Sequence, residues 1–155
     1  MRLSTKSRYG LRALFDMAYH AGNLPAQIKD ISRRQNISPR YLEQIFQDLK
    51  RGGLLKSRRG PQGGYLLSRK PHEITVHQVI TAAEGEMSLV DCRKSGKGSK
   101  EECEFGNECV TQKVWQEANK RLKDYLDSVT LKDLCDDAKA MGLDKELDHR
   151  FMYFI

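Results

Sequence analysis

No stretch of this 155-residue chain approaches the roughly 18 consecutive apolar residues that a membrane span requires. Its opening, Met1-Arg2-Leu3-Ser4-Thr5-Lys6, lacks the apolar core of a secretory signal. A cytoplasmic protein with no membrane role is therefore expected. There are only four cysteines and four histidines. The cysteines form no close C-x2-C pair and the histidines are scattered, which argues against a general zinc site. Nor is there an HExxH helix, a glycine loop ending in Lys-Ser/Thr, or a Ser-His-Asp set, so no enzyme class finds support. Hydrophobic residues at 39% and a mixed charge content of 31% exclude a disordered chain. The length suits one domain, or a small domain with a helical extension.

What is present is a division of charge. Residues 1–72 carry 15 Lys/Arg against 4 Asp/Glu, a balance of +11, whereas residues 73–155 carry 12 against 17, a balance of −5. Such asymmetry is the mark of a nucleic-acid module joined to something else. In a cytoplasmic chain, four reduced cysteines point to metal, redox chemistry or burial before structural disulfides.

The basic half has a recognisable order. Leu11, Leu14, Phe15, Ala18 and Ala21 recur at the spacing of one helical face, predicting a helix over residues 5–21 that stops at Gly22-Asn23 and Pro25. A short helix follows over 27–35 with Ile28 and Ile31 inward, and then a tight turn at Asn36-Ile37-Ser38. Ser38 can cap free amides and Pro39 suits a first helical position, so a third helix begins there, burying Leu42, Ile45, Phe46 and Leu49. Two short helices joined by such a turn make a helix-turn-helix. Next come two strand-like runs, Leu54-Leu55-Lys56-Ser57-Arg58 and Tyr65-Leu66-Leu67-Ser68, joined by Arg59-Gly60-Pro61-Gln62-Gly63-Gly64. A hairpin with a glycine-rich basic tip beside a helix-turn-helix is a wing.

The third helix leaves Arg40, Tyr41, Glu43, Gln44, Gln47 and Asp48 off its buried face. Base contacts come from the N-terminal part of a recognition helix, so Arg40, Glu43 and Gln44 are the candidates for base readout. Arg suits guanine, Gln suits adenine, and Glu accepts from cytosine. Arg2, Lys6, Arg8, Lys50, Lys56, Arg58, Arg59 and Arg69 are placed to meet phosphates. The expected DNA-contacting set is Arg2, Lys6, Ser38, Arg40, Tyr41, Glu43, Gln44, Arg58, Arg59, Gly60 and Gln62.

Three segments carry a resemblance. The opening Met-Arg-Leu-Ser-Thr-Lys-Ser-Arg-Tyr-Gly-Leu-Arg-Ala-Leu, the stretch Ile-Ser-Pro-Arg-Tyr-Leu-Glu-Gln-Ile and the wing Arg-Arg-Gly-Pro-Gln-Gly-Gly-Tyr-Leu-Leu resemble the IscR/NsrR/RirA/CymR family of bacterial winged-helix transcription regulators, over roughly residues 1–135. The resemblance implies a homodimer on a pseudo-palindromic double-stranded DNA operator, acting as a repressor or dual regulator, with the wing in the minor groove. Position 40, Glu43, Gln44 and Arg59 match places where members contact DNA. The fold class expected is mainly α: a winged helix-turn-helix domain with a two-stranded wing, plus a long C-terminal dimerisation helix.

In the acidic half, Thr75-Val76-His77-Gln78 is a capping box, and Val76, Val79, Ile80 and Ala83 line the helix it opens; His77 falls off that stripe, as a surface histidine would. A long helix is predicted from about residue 107 to 128, with Val110, Val114, Ala118, Leu122, Tyr125, Leu126 and Val129 on one face. So long an apolar stripe needs a partner surface, and a second copy of the chain is favoured over folding back. Another helix starts at Thr130–Asp133, with Leu131, Leu134, Cys135 and Ala138 inward, so Cys135 is expected to be a buried structural thiol. The boundaries expected are 1–72 for the winged helix-turn-helix, 73–106 for a linking helix and cysteine loop, 107–142 for the dimerisation helix and its successor, and 143–155 for an apolar tail. That tail, ending Phe151-Met152-Tyr153-Phe154-Ile155, should dock on its own or the partner subunit, or serve a protein partner.

Cys92, Cys103 and Cys109 are spaced C-x10-C-x5-C around a flexible polar run. By spacing alone this matches no general cluster motif, and zinc, a thiol–disulfide switch and inert thiols stay open. The resemblance implies an iron–sulfur cluster, 2Fe–2S or 4Fe–4S, on these three cysteines, sensing iron, redox or nitric oxide state. Two departures from the family pattern leave nuclearity and fourth ligand open. The first gap is longer here, and Gln112 and Arg8 stand where members carry a histidine or a carboxylate. Asp91, a nearby glutamate, water or a small molecule could complete the shell. The alternative within the same family is a cluster-free regulator controlled by thiol oxidation or by a metabolic enzyme such as cysteine synthase.

Overall fold

A computed structural model describes residues 3–90, 109–146 and 150. Helix α1 (Thr5–Asp16) starts at Ser4, whose hydroxyl accepts from the Lys6 amide. The single helix expected over 5–21 is instead α1 followed by a π-helical turn, Met17–Ala21, closed by the Gly22 amide on the Met17 carbonyl at 2.9 Å. The extra residue per turn lets Met17 stay in the main core while Tyr19 packs on Cys135 and Ala138.

Helix α2 (Ile28–Gln35) ends at Asn36, left-handed at φ 52°, and Ser38 caps α3 (Pro39–Arg51) by accepting from the Tyr41 amide. Leu42, Ile45, Phe46 and Leu49 of α3 are buried, as their i, i+3, i+4, i+7 spacing predicted. The antiparallel hairpin pairs β1 (Leu55–Arg58) with β2 (Gly64–Leu67) in the register Leu55↔Leu67 and Arg58↔Gly64. The hairpin is not a free ribbon. Ala26 and Tyr65 exchange two backbone hydrogen bonds of 2.8 Å, and the Tyr65 ring stands edge-on to Phe46 at 4.9 Å. Gly64 permits this: its φ is +152°, and a Cβ there would fall 2.4 Å from the Ala26 carbonyl oxygen.

Helix α4 (Val76–Glu84) opens on the Thr75–Gln78 capping box and contacts α1 and α3. Helix α5 (Gln112–Ser128) touches α4, and α6 (Leu131–Ala140) packs against α1 and the π turn. One core joins α1, α2, α3, the hairpin, α4 and Leu131 of α6. Each fully buried Phe, Leu or Ile in it contributes about 1.5–3 kcal/mol. Cys135 is buried, as expected, and burial pushes its thiol pKa up.

Inside this frame lies an ion pair the sequence did not disclose. Asp16 is wholly buried and accepts three hydrogen bonds from the Arg34 guanidinium (2.6–3.1 Å) and a fourth from Gln35 Nε2 (3.0 Å). It fixes α2 against the end of α1.

Candidate nucleic-acid interface and cysteine segment

Arg40, Glu43, Gln44 and Gln47 are all exposed on α3, because the core takes the opposite side of the helix. Beside them, Lys56, Arg58, Arg59, Gly60 and Gln62 are exposed on the wing. A hydrogen bond of 2.9 Å from Lys50 Nζ to Ser57 Oγ ties the end of α3 to β1. The arrangement sets exposed polar side chains of α3 beside exposed cations of the wing.

Several expected contact residues have protein partners. Lys6 forms an ion pair with Asp48, which also pairs with Arg51 at 3.2 Å. Tyr41 is half-buried, edge-on to Tyr9 at 6.0 Å, so its ring positions α3 on α1. Ser38 is occupied as the helix cap. Arg69 donates to the Glu73 carbonyl and to Gln78 Oε1, both at 3.2 Å. Arg8 is exposed, while Arg2 lies outside the described residues.

Glu84 carries no local motif that would single it out. As the last residue of α4 its carboxylate accepts from the Ser4 amide (2.9 Å), the Ser4 hydroxyl and the Ser7 amide (3.3 Å). It thereby closes the exposed amides at the start of α1. Partial burial raises its pKa, but the bonds from Ser4 and Ser7 outweigh that and hold it below the ordinary carboxylate value. The chain leaves Glu84 towards the cysteine segment only eight residues before Cys92.

Of the three candidate cluster ligands, Cys92 and Cys103 lie outside the described residues, as does Asp91. Cys109 is half-exposed three residues before α5. Its sulfur lies 3.2 Å from Thr111 Oγ1, and that hydroxyl, followed by the Thr111 and Gln112 amides, lowers its pKa. A lowered pKa and partial exposure favour the thiolate form relative to an isolated thiol. Among the described residues, no three His, Cys, Asp or Glu groups gather as a metal site.

Helix α5 begins at Gln112, five residues later than expected, and residues 107 and 108 are outside the description. None of its residues is buried. Val110 is 90% exposed, Val114 62% and Tyr125 64%, while Ala118, Leu122, Leu126 and Val129 are half-buried; Trp115, absent from the predicted stripe, is also exposed. His77 is more engaged than a surface histidine, with Nδ1 3.0 Å from Asp127 Oδ1 of α5; the same oxygen accepts from Thr75 Oγ1 at 3.2 Å. No helix among the described residues is long and apolar enough to cross a membrane.

Comparison with known proteins agrees with this architecture. The family profile Rrf2, described as iron-dependent transcriptional regulator, matches residues 3–137. The chain is similar to the HTH-type transcriptional regulator IscR of Pectobacterium atrosepticum, 38% identical over 143 residues, covering 92% of this chain and 84% of the relative. Among solved structures it is similar to T. potens IscR, with 36% identity, a TM-score of 0.72 and coverage of 99% and 96%. It is also similar to CymR, the global cysteine regulator of B. subtilis, with 35% identity, a TM-score of 0.71 and coverage of 88% and 97%.

Proposed function

This chain belongs to the Rrf2 family of winged-helix transcription regulators, which are DNA-binding proteins and not enzymes, and from that premise we propose that it is a homodimeric sensor whose hold on a pseudo-palindromic operator follows iron, redox or nitric oxide state through an iron–sulfur cluster on Cys92, Cys103 and Cys109. The observation that supports the DNA reading best is the exposed row Arg40, Glu43 and Gln44 on α3 beside the cationic wing. In this proposal Arg40, Glu43 and Gln44 read base edges. Arg2, Lys6, Arg58 and Arg59 meet phosphates, and Gly60 and Gln62 bring the wing backbone close. Ser38 and Tyr41 hold the reading helix in position.

The uncovered apolar face of α5 supports the dimer. Val114, Trp115 and Tyr125 of α5, with Val110 just before it, are large exposed side chains that water would solvate poorly, and a second copy crossing them removes that surface. Two-fold symmetry then supplies two reading helices for two half-sites.

The cluster reading rests on three thiols in the expected order and on Cys109, whose lowered pKa and half-exposed sulfur fit a ligand. When bound, such a cluster supplies iron that oxygen, nitric oxide or iron scarcity alters. The protein's own parts then carry the signal. Cys109 lies three residues before α5, α5 meets α4 through Asp127, and α4 holds the start of α1 through Glu84 and packs on α3. A coupling of about 1–3 kcal/mol along such a path changes DNA affinity by about 5- to 150-fold.

The test is anaerobic purification with iron and sulfide analysis. A brown protein whose visible absorbance is lost in Cys92→Ala supports the cluster. A colourless protein that takes up no iron on reconstitution overturns it. Protein that ignores duplex DNA at modest ionic strength overturns the DNA reading whatever its metal content.

The likeness to a global cysteine regulator, with the lowered pKa of Cys109, favours a second reading: a cluster-free regulator answering to thiol oxidation or to a biosynthetic enzyme. Iron-free protein whose DNA affinity changes on peroxide treatment, and no longer does so in Cys109→Ser, supports this. Enzyme capture that is lost on deleting residues 151–155 supports the partner form.

A further inference from the structure

Beyond the family-matched residues 3–137, the described residues Leu143, Glu146 and Arg150 each contact the DNA-binding half. The Tyr19 hydroxyl donates to the Leu143 carbonyl at 2.6 Å. The Glu146 amide donates to His20 Nδ1 at 2.9 Å, and the Glu146 carboxylate pairs with Arg33 of α2. Farther on, half-buried Arg150 spreads its guanidinium across two elements. Nη1 donates to the Gly63 carbonyl at 2.9 Å, and Nη2 donates to the Pro25 carbonyl at 3.0 Å.

These two carbonyls flank the junction between the wing and the body. Pro25 is buried and precedes Ala26, whose amide and carbonyl bond to Tyr65 of β2. Gly63 is buried where the loop enters β2, and its amide already donates to the Gly60 carbonyl at 2.8 Å. A Cβ at Gly63 would fall 2.4 Å from the Arg58 carbonyl oxygen, so the loop is drawn tight. A planar fork with donors on two nitrogens can span both carbonyls at once, which a single ammonium does less well. We propose that Arg150 is a positioning residue for DNA binding: a clamp by which the C-terminal segment holds the wing root against the helix-turn-helix. The role of Arg150 is then to set the wing's pose, not to touch DNA. This rests on the winged-helix reading and is independent of any cluster.

The experiment uses full-length Arg150→Ala and Arg150→Lys in the absence and presence of duplex DNA. Hydrogen–deuterium exchange of the free protein is followed for the wing, residues 59–66, with α3 as an internal control. Loss of about one net hydrogen bond predicts exchange roughly fivefold faster at the wing in Arg150→Ala, with α3 unchanged and a comparable loss of specific affinity. Arg150→Lys keeps the charge but not the fork, so it follows Arg150→Ala in exchange. Unchanged wing exchange in both variants overturns the proposal. So does affinity lost in Arg150→Ala but kept in Arg150→Lys without any exchange change, the signature of direct phosphate contact. Faster exchange across wing and α3 alike also overturns it, since that reports general loosening. Failure of the wild-type protein to bind duplex DNA at all would instead count against the winged-helix reading.

Discussion

Asp16→Ala puts the internal ion pair to a quantitative test. The carboxylate is fully buried and takes four hydrogen bonds, three of them from Arg34, whose side chain is only 12% exposed. Removing the carboxylate strands a guanidinium that the fold has largely taken out of water. Arg34 also has Glu146 at 3.9 Å, a half-exposed carboxylate that offers a weak substitute. Breaking one side of a buried pair costs about 3–5 kcal/mol, and the Glu146 contact places the expectation near the lower figure, about 3 kcal/mol. At about 2–4 °C per kcal/mol for a chain of this size, the melting temperature falls by about 6–12 °C. Chemical denaturation of wild type, Asp16→Ala and the double variant Asp16→Leu/Arg34→Met measures it. Replacing both partners with apolar groups of similar volume should restore most of the loss. A cost below about 1 kcal/mol for Asp16→Ala, or a double variant no better than the single, refutes the reasoning.

Three further outcomes follow from the same geometry. Glu43→Ala should broaden sequence preference at one base position by about 1–3 kcal/mol of lost discrimination, more than it weakens overall binding; equal loss on every duplex removes Glu43 from base readout. Arg59→Ala should weaken binding and reduce the slope of log affinity against log salt by about 0.9, since one phosphate contact is lost. Glu84 has a lowered folded pKa, so its stabilisation is present above the unfolded carboxylate value of about 4.3 and disappears as pH falls through the folded one. The difference in melting temperature between wild type and Glu84→Gln should therefore shrink on acidification below about pH 4.3; a constant difference contradicts the carboxylate role.

Much of the fold was legible because its signals are local. Ser38-Pro39, the Thr75 and Thr130 caps and the stop at Gly22 act within one turn of chain, and the structure uses each of them. The exposed face of α3 was legible by subtraction, since Leu42, Ile45, Phe46 and Leu49 claim one side of the helix and leave Arg40, Glu43 and Gln44 on the other. The π turn at Met17–Ala21 was not legible: it depends on Tyr19 meeting Cys135, more than a hundred residues away. Glu84 on Ser4, Arg34 on Asp16 and Arg150 on Gly63 are likewise long-range polar pairs, and no periodicity announces them. Lys6 adds a further such pair: its contact with Asp48 on α3 joins residues that no local pattern connects. Of the cysteine motif, Cys92 and Cys103 fall outside the described residues, and only the surroundings of Cys109, where Thr111 lowers the thiol pKa, can be set beside the expectation.

The double backbone bond between Ala26 and Tyr65, with Phe46 against the Tyr65 ring, has a consequence for which operators are chosen. Through Tyr65, β2 is fastened to Ala26, just ahead of α2, and to Phe46 of α3, so on the proposed DNA reading the span from α3 to the hairpin acts as a caliper of fixed width. A duplex must bring its two grooves to that spacing, and stretches already shaped that way pay less elastic energy than stretches that have to be bent or narrowed. If the proposed reading holds, base pairs that no side chain touches acquire a vote in target choice, cast through the mechanical compliance of the DNA.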